Sequence, residues 1–384
     1  MERFTKGYST CLMACLLAFS VAGCSKVAGD TPDDVVGADG YISFCPSLSN
    51  DGDPSGEDAY NENKITALDI FLYDENAGDD EAALLHHHET LTGEESIPTV
   101  KVPTGELAAL LAKGRTKFKV VAIANCSEVS GLDRNKMSLN RLRAIETGAD
   151  ASFRAATAPE DFVMHSLDKP MIVTVDKDGY GKRTYALNFK RLAAKIRVAL
   201  NVKESITDEG GTEWRPDVGQ MRLYIINGVG TSRLDGEGDI GPEYYYNISA
   251  SENMDTEDDG FARALTYHET NWLSGKKDET YLYYNDIPYY AYPNEWSSES
   301  TAEHRTSLVV VIPWISENGN DAIWQPTYYI IPVNNDGTIV SDTFYYLRVR
   351  IETMGSCQYD APIQANALYM KVSQWIMYDN NVIL

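Results

Sequence analysis

Three consecutive histidines, His86-His87-His88, form the densest group of metal-capable side chains in the chain. Imidazole nitrogens bind zinc, copper and nickel. Neighbouring residues on a strand point to opposite faces, so the three cannot all converge on one ion. They lie between Glu81 and Glu95, and the stretch reads as a solvated acidic loop. His165, His268 and His304 are scattered, with no His-Glu-x-x-His spacing. No metal site is expected. Asn227-Gly228-Val229-Gly230, followed by Gly236, Gly238 and Gly241, suggests a phosphate loop at first sight. No helix and no Gly-Lys-Ser/Thr comes after it, so the segment reads as a mobile loop. Tyr244-Tyr245-Tyr246, Tyr283-Tyr284 and Tyr289-Tyr290-Ala291-Tyr292, near Trp296, Trp314 and Trp324, could stack on sugar rings or fill a core. Strand alternation sends half of each run inward. The carboxylates single out no acid–base pair, and no Gly-x-Ser-x-Gly or other nucleophile context is present. No catalytic residue, no cofactor and no enzyme activity are expected.

The elements that would position such groups are mostly strands. Tyr41–Cys45, 65–73, 118–124, 171–175, 185–189 and 192–202 are alternating or continuous apolar runs rich in Tyr, Val and Ile. Further runs lie at 221–226, 281–284, 287–292, 308–312, 328–332, 345–351 and 368–377. Two helices are expected. Thr104 would cap a run through Lys113 that ends at Gly114, and Ser138 would cap Leu139–Thr147, ending at Gly148. Many short strands with few helices define a mainly β chain of β-sandwiches. The 384 residues exceed a single core and predict two domains, 41–183 and 184–384, split near Gly181.

The first residues fix a different property. Arg3 and Lys6 precede an apolar run from Cys11 to Val21, too short to span a bilayer. Val21-Ala22-Gly23-Cys24 then resembles a bacterial lipoprotein signal, cut before a cysteine that carries the lipid. That resemblance implies a signal peptide at 1–23, lipidation at Cys24 and a partner in outer-membrane lipid. Residues 24–40 are polar and read as a flexible tether. The net charge of −24 repels nucleic acid. Cys11 and Cys15 leave with the signal and Cys24 carries lipid. Of Cys45, Cys126 and Cys357 two can pair, and the sequence does not choose which.

Five segments in order resemble the fimbrillins, subunits of the type V pili of Bacteroidia. They are ADGYISF followed by GEDAYNENKITALDIFLYDE, then FKVVAIANCS (118–127), FVMHS (162–166), FKRLAAKIRV (189–198) and a terminal alternating strand with a tryptophan, 367–375. The resemblance implies two transthyretin-like β-sandwiches and assembly by strand exchange. A protease that usually cuts after arginine removes the first strand. The groove then accepts a strand from another subunit, a form of β-augmentation. The displaced strand would hold Tyr41, Ile42, Ser43 and Phe44. The donor would hold Leu368, Met370, Val372 and Trp375. Partners would be other pilus subunits, with a host protein or glycan as a further partner, at the outer membrane and cell surface. The chain departs from the family in one respect. No arginine lies between Phe44 and Ile65, and the first after Arg3 is Arg115. Lys64 or the Ser55-Gly56-Glu57 loop would then be cut by another protease, or the chain stays untrimmed as a lipid-held anchor. A glycan-binding surface lipoprotein is a third reading.

Overall fold

The structure, a computed structural model, describes residues 40–48, 62–81, 83–91, 99–129, 132–133, 137–148, 162–175, 183–226, 228–229, 231–236, 245–246, 267–269, 281–283, 288–294, 305–318, 321–334, 338–357, 363–364, 373–374 and 379–383. Its first strands are β1 (Tyr41–Leu48), β2 (Ala67–Asp74), β3 (Leu84–Leu91), β4 (Val100–Pro103) and β5 (Lys117–Ala124). They are followed by β6 (Glu146–Gly148), β7 (Met164–His165), β8 (Met171–Thr174) and β9 (Arg183–Arg191). Next come β10 (Ala194–Lys203), β11 (Ile206–Thr207), β12 (Glu213–Pro216), β13 (Arg222–Ile226), β14 (Gly228–Val229), β15 (Thr231–Arg233), β16 (Tyr245–Tyr246) and β17 (Tyr267–Glu269). The last are β18 (Tyr281–Tyr283), β19 (Pro288–Ala291), β20 (Ser307–Asn318), β21 (Asp321–Pro332), β22 (Thr343–Ile351), β23 (Ile363–Gln364), β24 (Ser373–Gln374) and β25 (Asp379–Ile383). Among the described residues the α-helical pieces are α1 (Ala108–Leu111) and α2 (Leu139–Arg143).

Eight strands form the first sheet, ordered β3-β2-β5-β7-β9-β1-β4, with β8 also on β5. Ile42 and Phe44 of β1, Val100 and Val102 of β4 and Leu187 of β9 share one apolar cluster with Leu68 and Ile70 of β2 and Val120 of β5. One sheet can place those residues together only by folding over, so the β9-β1-β4 end lies on the β3-β2-β5 end. β2 is buried on both sides: Leu68, Ile70 and Leu72 on one, Asp69, Phe71 and Tyr73 on the other, as a covered central strand requires. A second cluster fills the space between a six-stranded sheet built on β10 and β22 and a seven-stranded sheet built on β13, β20 and β21. Alternate residues Ile196, Val198, Leu200 and Val202 of β10 face Leu308, Val310, Ile312 and Trp314 of β20 across it. The chain is therefore mainly β, as the alternating runs predict.

The two clusters abut along β19 and β22. Tyr289 and Ala291 point into the second cluster, Tyr290 and Tyr292 into the first. Tyr345 and Phe344 divide in the same way. Period-two alternation thus serves two cores at once. Tyr289, Tyr290, Tyr292 and Trp314 are all buried, and the Trp314 Nε1 donates to Thr327 Oγ1 at 3.0 Å. Those aromatics pack and do not offer a face to a sugar.

Several expectations change. The expected split after residue 183 assigns β9 to the second half, yet β9 pairs with β7 and β1 in the first sheet. The chain passes between sheets at Leu192–Ala193. The run after Thr104 is a 3-10 turn (Thr104–Leu107) followed by α1, without a side-chain cap. The Thr104 hydroxyl donates instead to the carbonyl of Gly40 at 2.7 Å. α2 has its expected cap, Ser138 Oγ accepting from the N–H of Arg141 at 3.1 Å. It ends early because Glu146–Gly148 pairs with β15. That pairing also turns part of the glycine-rich segment into strand. The histidine triplet lies in β3, not in a loop.

Candidate functional site: the first strand, its groove and the junction

β1 is enclosed on both edges. It runs antiparallel to β4, Tyr41 opposite Pro103 through Phe44 opposite Val100, and parallel to β9, Ile42 opposite Arg183 through Leu48 opposite Phe189. Ile42 and Phe44 point inward and are buried. Phe44 sits 6.0 Å from the Tyr185 ring, centroid to centroid. On the other face, Lys101 places its ammonium 4.7 Å from the Tyr41 ring centroid. Burial of Ile42 and Phe44 contributes about 1.5–3 kcal/mol each. Removal of β1 would uncover a groove between β4 and β9 with two unpaired edges and an apolar floor, a strong template for a new strand.

The entry to β2 is held firmly. Asn125, at the end of β5, adopts a left-handed backbone with φ of 57°, which asparagine tolerates better than most residues. Its Oδ1 accepts from the N–H groups of Thr66 and Ala67 at 2.9 and 3.2 Å. Its Nδ2 donates to the carbonyls of Lys64 and Phe162 at 2.8 and 2.9 Å. One amide thus ties the entry of β2 to β5 and to the FVMHS segment. The Lys64 carbonyl is engaged and Ile65 is buried, so the bond after Lys64 is poorly placed for a protease.

Just before Lys64, Glu62 and Asn63 meet a buried polar cluster where the two cores adjoin. Arg191 is fully buried. Its Nε donates to the Glu62 carbonyl at 3.0 Å, its Nη1 to Asp342 Oδ1 at 3.2 Å and its Nη2 to Asn63 Oδ1. The Lys195 ammonium lies 2.7 Å from Glu62 Oε1 and 2.9 Å from Oε2. The Tyr290 hydroxyl also donates to Glu62. Burying these charges is tolerable because each is paired and hydrogen-bonded. Arg191 and Lys195 are two of the four cations of the FKRLAAKIRV segment, with Lys190 and Arg197 beside them. Two cations four residues apart in an apolar run were the signal available for this cluster. Glu62 and Asp342 gave none.

His165 of the FVMHS segment sits in β7 with Nδ1 accepting from the N–H of Leu167 at 3.3 Å, while the buried Nε2 finds no hydrogen-bond partner among the described residues. Burial pushes its pKa down to about 4, with Asp168 opposing and Lys190 assisting. An unfolded imidazole titrates near 6.5. Between those values the unfolded chain binds a proton that the folded chain refuses. Stability is therefore full above about pH 6.5 and falls as pH drops towards 4, by about 3 kcal/mol in all. Urea midpoints measured from pH 7.5 to 4.5 should show this slope, and His165→Gln should flatten it. An unchanged slope in the variant would refute the assignment.

The sequence-expected donor residues Leu368, Met370, Val372 and Trp375 lie outside the described residues, as do Cys24, the tether up to residue 39 and residues 49–61. Two described parts of the terminal segment are strands. β24 pairs antiparallel with β22, Phe344 opposite Ser373. β25 runs parallel to β22 from Tyr346 opposite Asp379 to Arg350 opposite Ile383. Among the described residues, no helix is long and apolar enough to cross a membrane.

Over 91% of its length this chain resembles a fimbrilin (fimA) of Porphyromonas gingivalis W83, with TM-score 0.53, 14% identity and 98% of that chain covered. It also resembles a "putative cell adhesion protein" of Bacteroides eggerthii DSM 20697, with TM-score 0.50, 14% identity and coverages of 91% and 98%. At such identities the likeness concerns the fold. No curated sequence matches the chain. Residues 46–212 match the family of the major fimbrial subunit protein (FimA). Over those residues the chain is similar to the fimbrillins, as the ordered segments of its sequence imply.

Proposed function

We propose that this chain is a structural subunit of a type V pilus, exported as a lipoprotein through Cys24 to the outer membrane and assembled by strand exchange into a surface fibre that supports adhesion. Its partners are other pilus subunits, with a host protein or glycan bound by the finished fibre. It performs no catalysis. The two cores act as two transthyretin-like domains meeting at Leu192–Ala193. The observation that carries this reading is the enclosure of β1 between β4 and β9. The entry to β2 is independently anchored, Glu62 and Asn63 by Arg191, and Lys64 to Ala67 by Asn125. A cut within residues 49–61 therefore frees β1 and leaves β2 in place, which favours the Ser55-Gly56-Glu57 stretch over Lys64.

The donor is the terminal segment around Leu368, Met370 and Val372, whose i, i+2 spacing repeats that of Ile42 and Phe44. β24 and β25 pair with β22 in the single subunit, so donation requires their release. Deleting residues 367–384 should leave a secreted, β-rich monomer and abolish fibres. Polymer of normal length from that variant would exclude the mechanism.

A second reading rests on the lack of arginine between Phe44 and Ile65. An uncut chain would keep β1, donate its terminal strand and accept none, and so would cap the fibre at the membrane. Lipid-blocked Cys24 on subunits recovered from fibres would identify this anchor role; a free amino terminus within residues 45–61 would identify a trimmed stalk or tip.

A further inference from the structure

We propose that His86, His88 and Glu106 form a binding site for one divalent transition-metal ion, of which zinc is the type, and that the ion clasps the two ends of the first sheet together. The placement of β3 makes the site. His86 and His88 are two apart on a strand and share a face, while His87 takes the other. His87 is buried, its ring stacked on Phe71 with centroids 4.5 Å apart and planes at 6°. Its Nε2 lies 2.6 Å from Asp69 Oδ1. That anchor fixes β3 against β2 and holds the two flanking imidazoles on the opposite side.

The carboxylate comes from the other end of the sheet. Glu106 is in the 3-10 turn after β4, and β3 and β4 are the terminal strands of the sheet order. Its Oε2 lies 2.9 Å from His86 Nε2 and 3.1 Å from His88 Nδ1. The three ligand atoms all fall within 4.8 Å of one another. Ligand atoms around tetrahedral zinc, at bonds near 2.0–2.1 Å, sit about 3.4 Å apart, so small side-chain rotations suffice. Two imidazoles and one carboxylate suit zinc, copper or nickel and poorly suit calcium or magnesium, which prefer all-oxygen shells. His86 and His88 side chains are 16% exposed and Glu106 37%, so water can enter and complete the shell. On binding, the proton each imidazole directs at Glu106 moves to its other ring nitrogen, and the freed lone pairs take the ion.

The turn that carries Glu106 is tied to the start of β1 through Thr104, whose N–H and hydroxyl both donate to the Gly40 carbonyl. A bound ion would therefore brace the edge at which β1 enters.

The test uses the full mature chain purified without a polyhistidine tag, titrated with zinc chloride by calorimetry in a non-chelating buffer at neutral pH. One equivalent should bind with a micromolar dissociation constant, and the melting temperature should rise by several degrees. Zinc-edge absorption should report two imidazoles per ion. His86→Gln, His88→Gln and Glu106→Gln should each weaken binding at least about tenfold with the metal-free melting temperature nearly unchanged. The paired variant His86→Gln/His88→Gln should lose it. No saturable binding below millimolar zinc, or equal affinity in the paired variant, would overturn the site.

Discussion

Glu62→Ala is expected to destabilise the fold by about 3–5 kcal/mol, the range for leaving a buried charge without its partner. Lys195 is only 3% exposed and Glu62 2%. The substitution leaves the Lys195 ammonium in the interior without the carboxylate it was paired with, and strips the Tyr290 hydroxyl of its acceptor. Glu62→Gln keeps an acceptor and a similar volume and should cost less. Because Glu62 precedes β2 while Lys195 and Tyr290 belong to β10 and β19, the loss should reach both cores. Tryptophan fluorescence, which reads Trp314 in the second core, should then report a lowered urea midpoint from a change made in the first. A change below about 1 kcal/mol, within the range of ordinary surface substitutions, would show that the cluster does not hold the cores together.

The parts of this architecture that the sequence reveals are those fixed by local pattern. β2, β5, β10 and β22 are dense in Val, Ile, Leu and Tyr, and covered strands must be apolar. Ser138 caps α2 because its side chain satisfies a nearby N–H, a matter of three residues. The parts that escaped depend on distant partners. Leu84–Leu91 carries three histidines and a glutamate at the edge of a sheet, where one face meets a turn from the far end of that sheet. Its polarity looks like a loop until Asp69, Phe71 and Glu106 are in place. β25, Asp379–Ile383, starts with an aspartate and two asparagines and is a strand only because β22 offers it a ladder. The boundary between the sheets was misplaced because Gly181 looks like a linker, whereas the chain crosses at Leu192–Ala193 inside a nearly continuous apolar run. The resemblance supplied what pattern could not. Its segments FKVVAIANCS and FKRLAAKIRV contain Asn125, Arg191 and Lys195, and the hydrogen bonds of these residues give each a structural role.

The central claim is that β1 must leave before a neighbour's strand can enter, and a reversible lock on β1 tests it most directly. Gly40 and Thr104 form a hydrogen-bonded pair, since the Thr104 N–H donates to the Gly40 carbonyl at 2.8 Å. Alternation along the antiparallel register makes Ser43 opposite Lys101 a non-hydrogen-bonded pair, with Cα atoms about 4.5 Å apart. That spacing accepts a disulfide. Ser43→Cys/Lys101→Cys, in a background with Cys45→Ser and Cys357→Ser, should fold, reach the surface and form no polymer while oxidised. A reductant should restore ladders that resist denaturing gels without boiling. Polymer is expected in the reduced sample alone. Equal ladders from oxidised and reduced protein, with the disulfide shown intact in the assembled subunits, would contradict the claim.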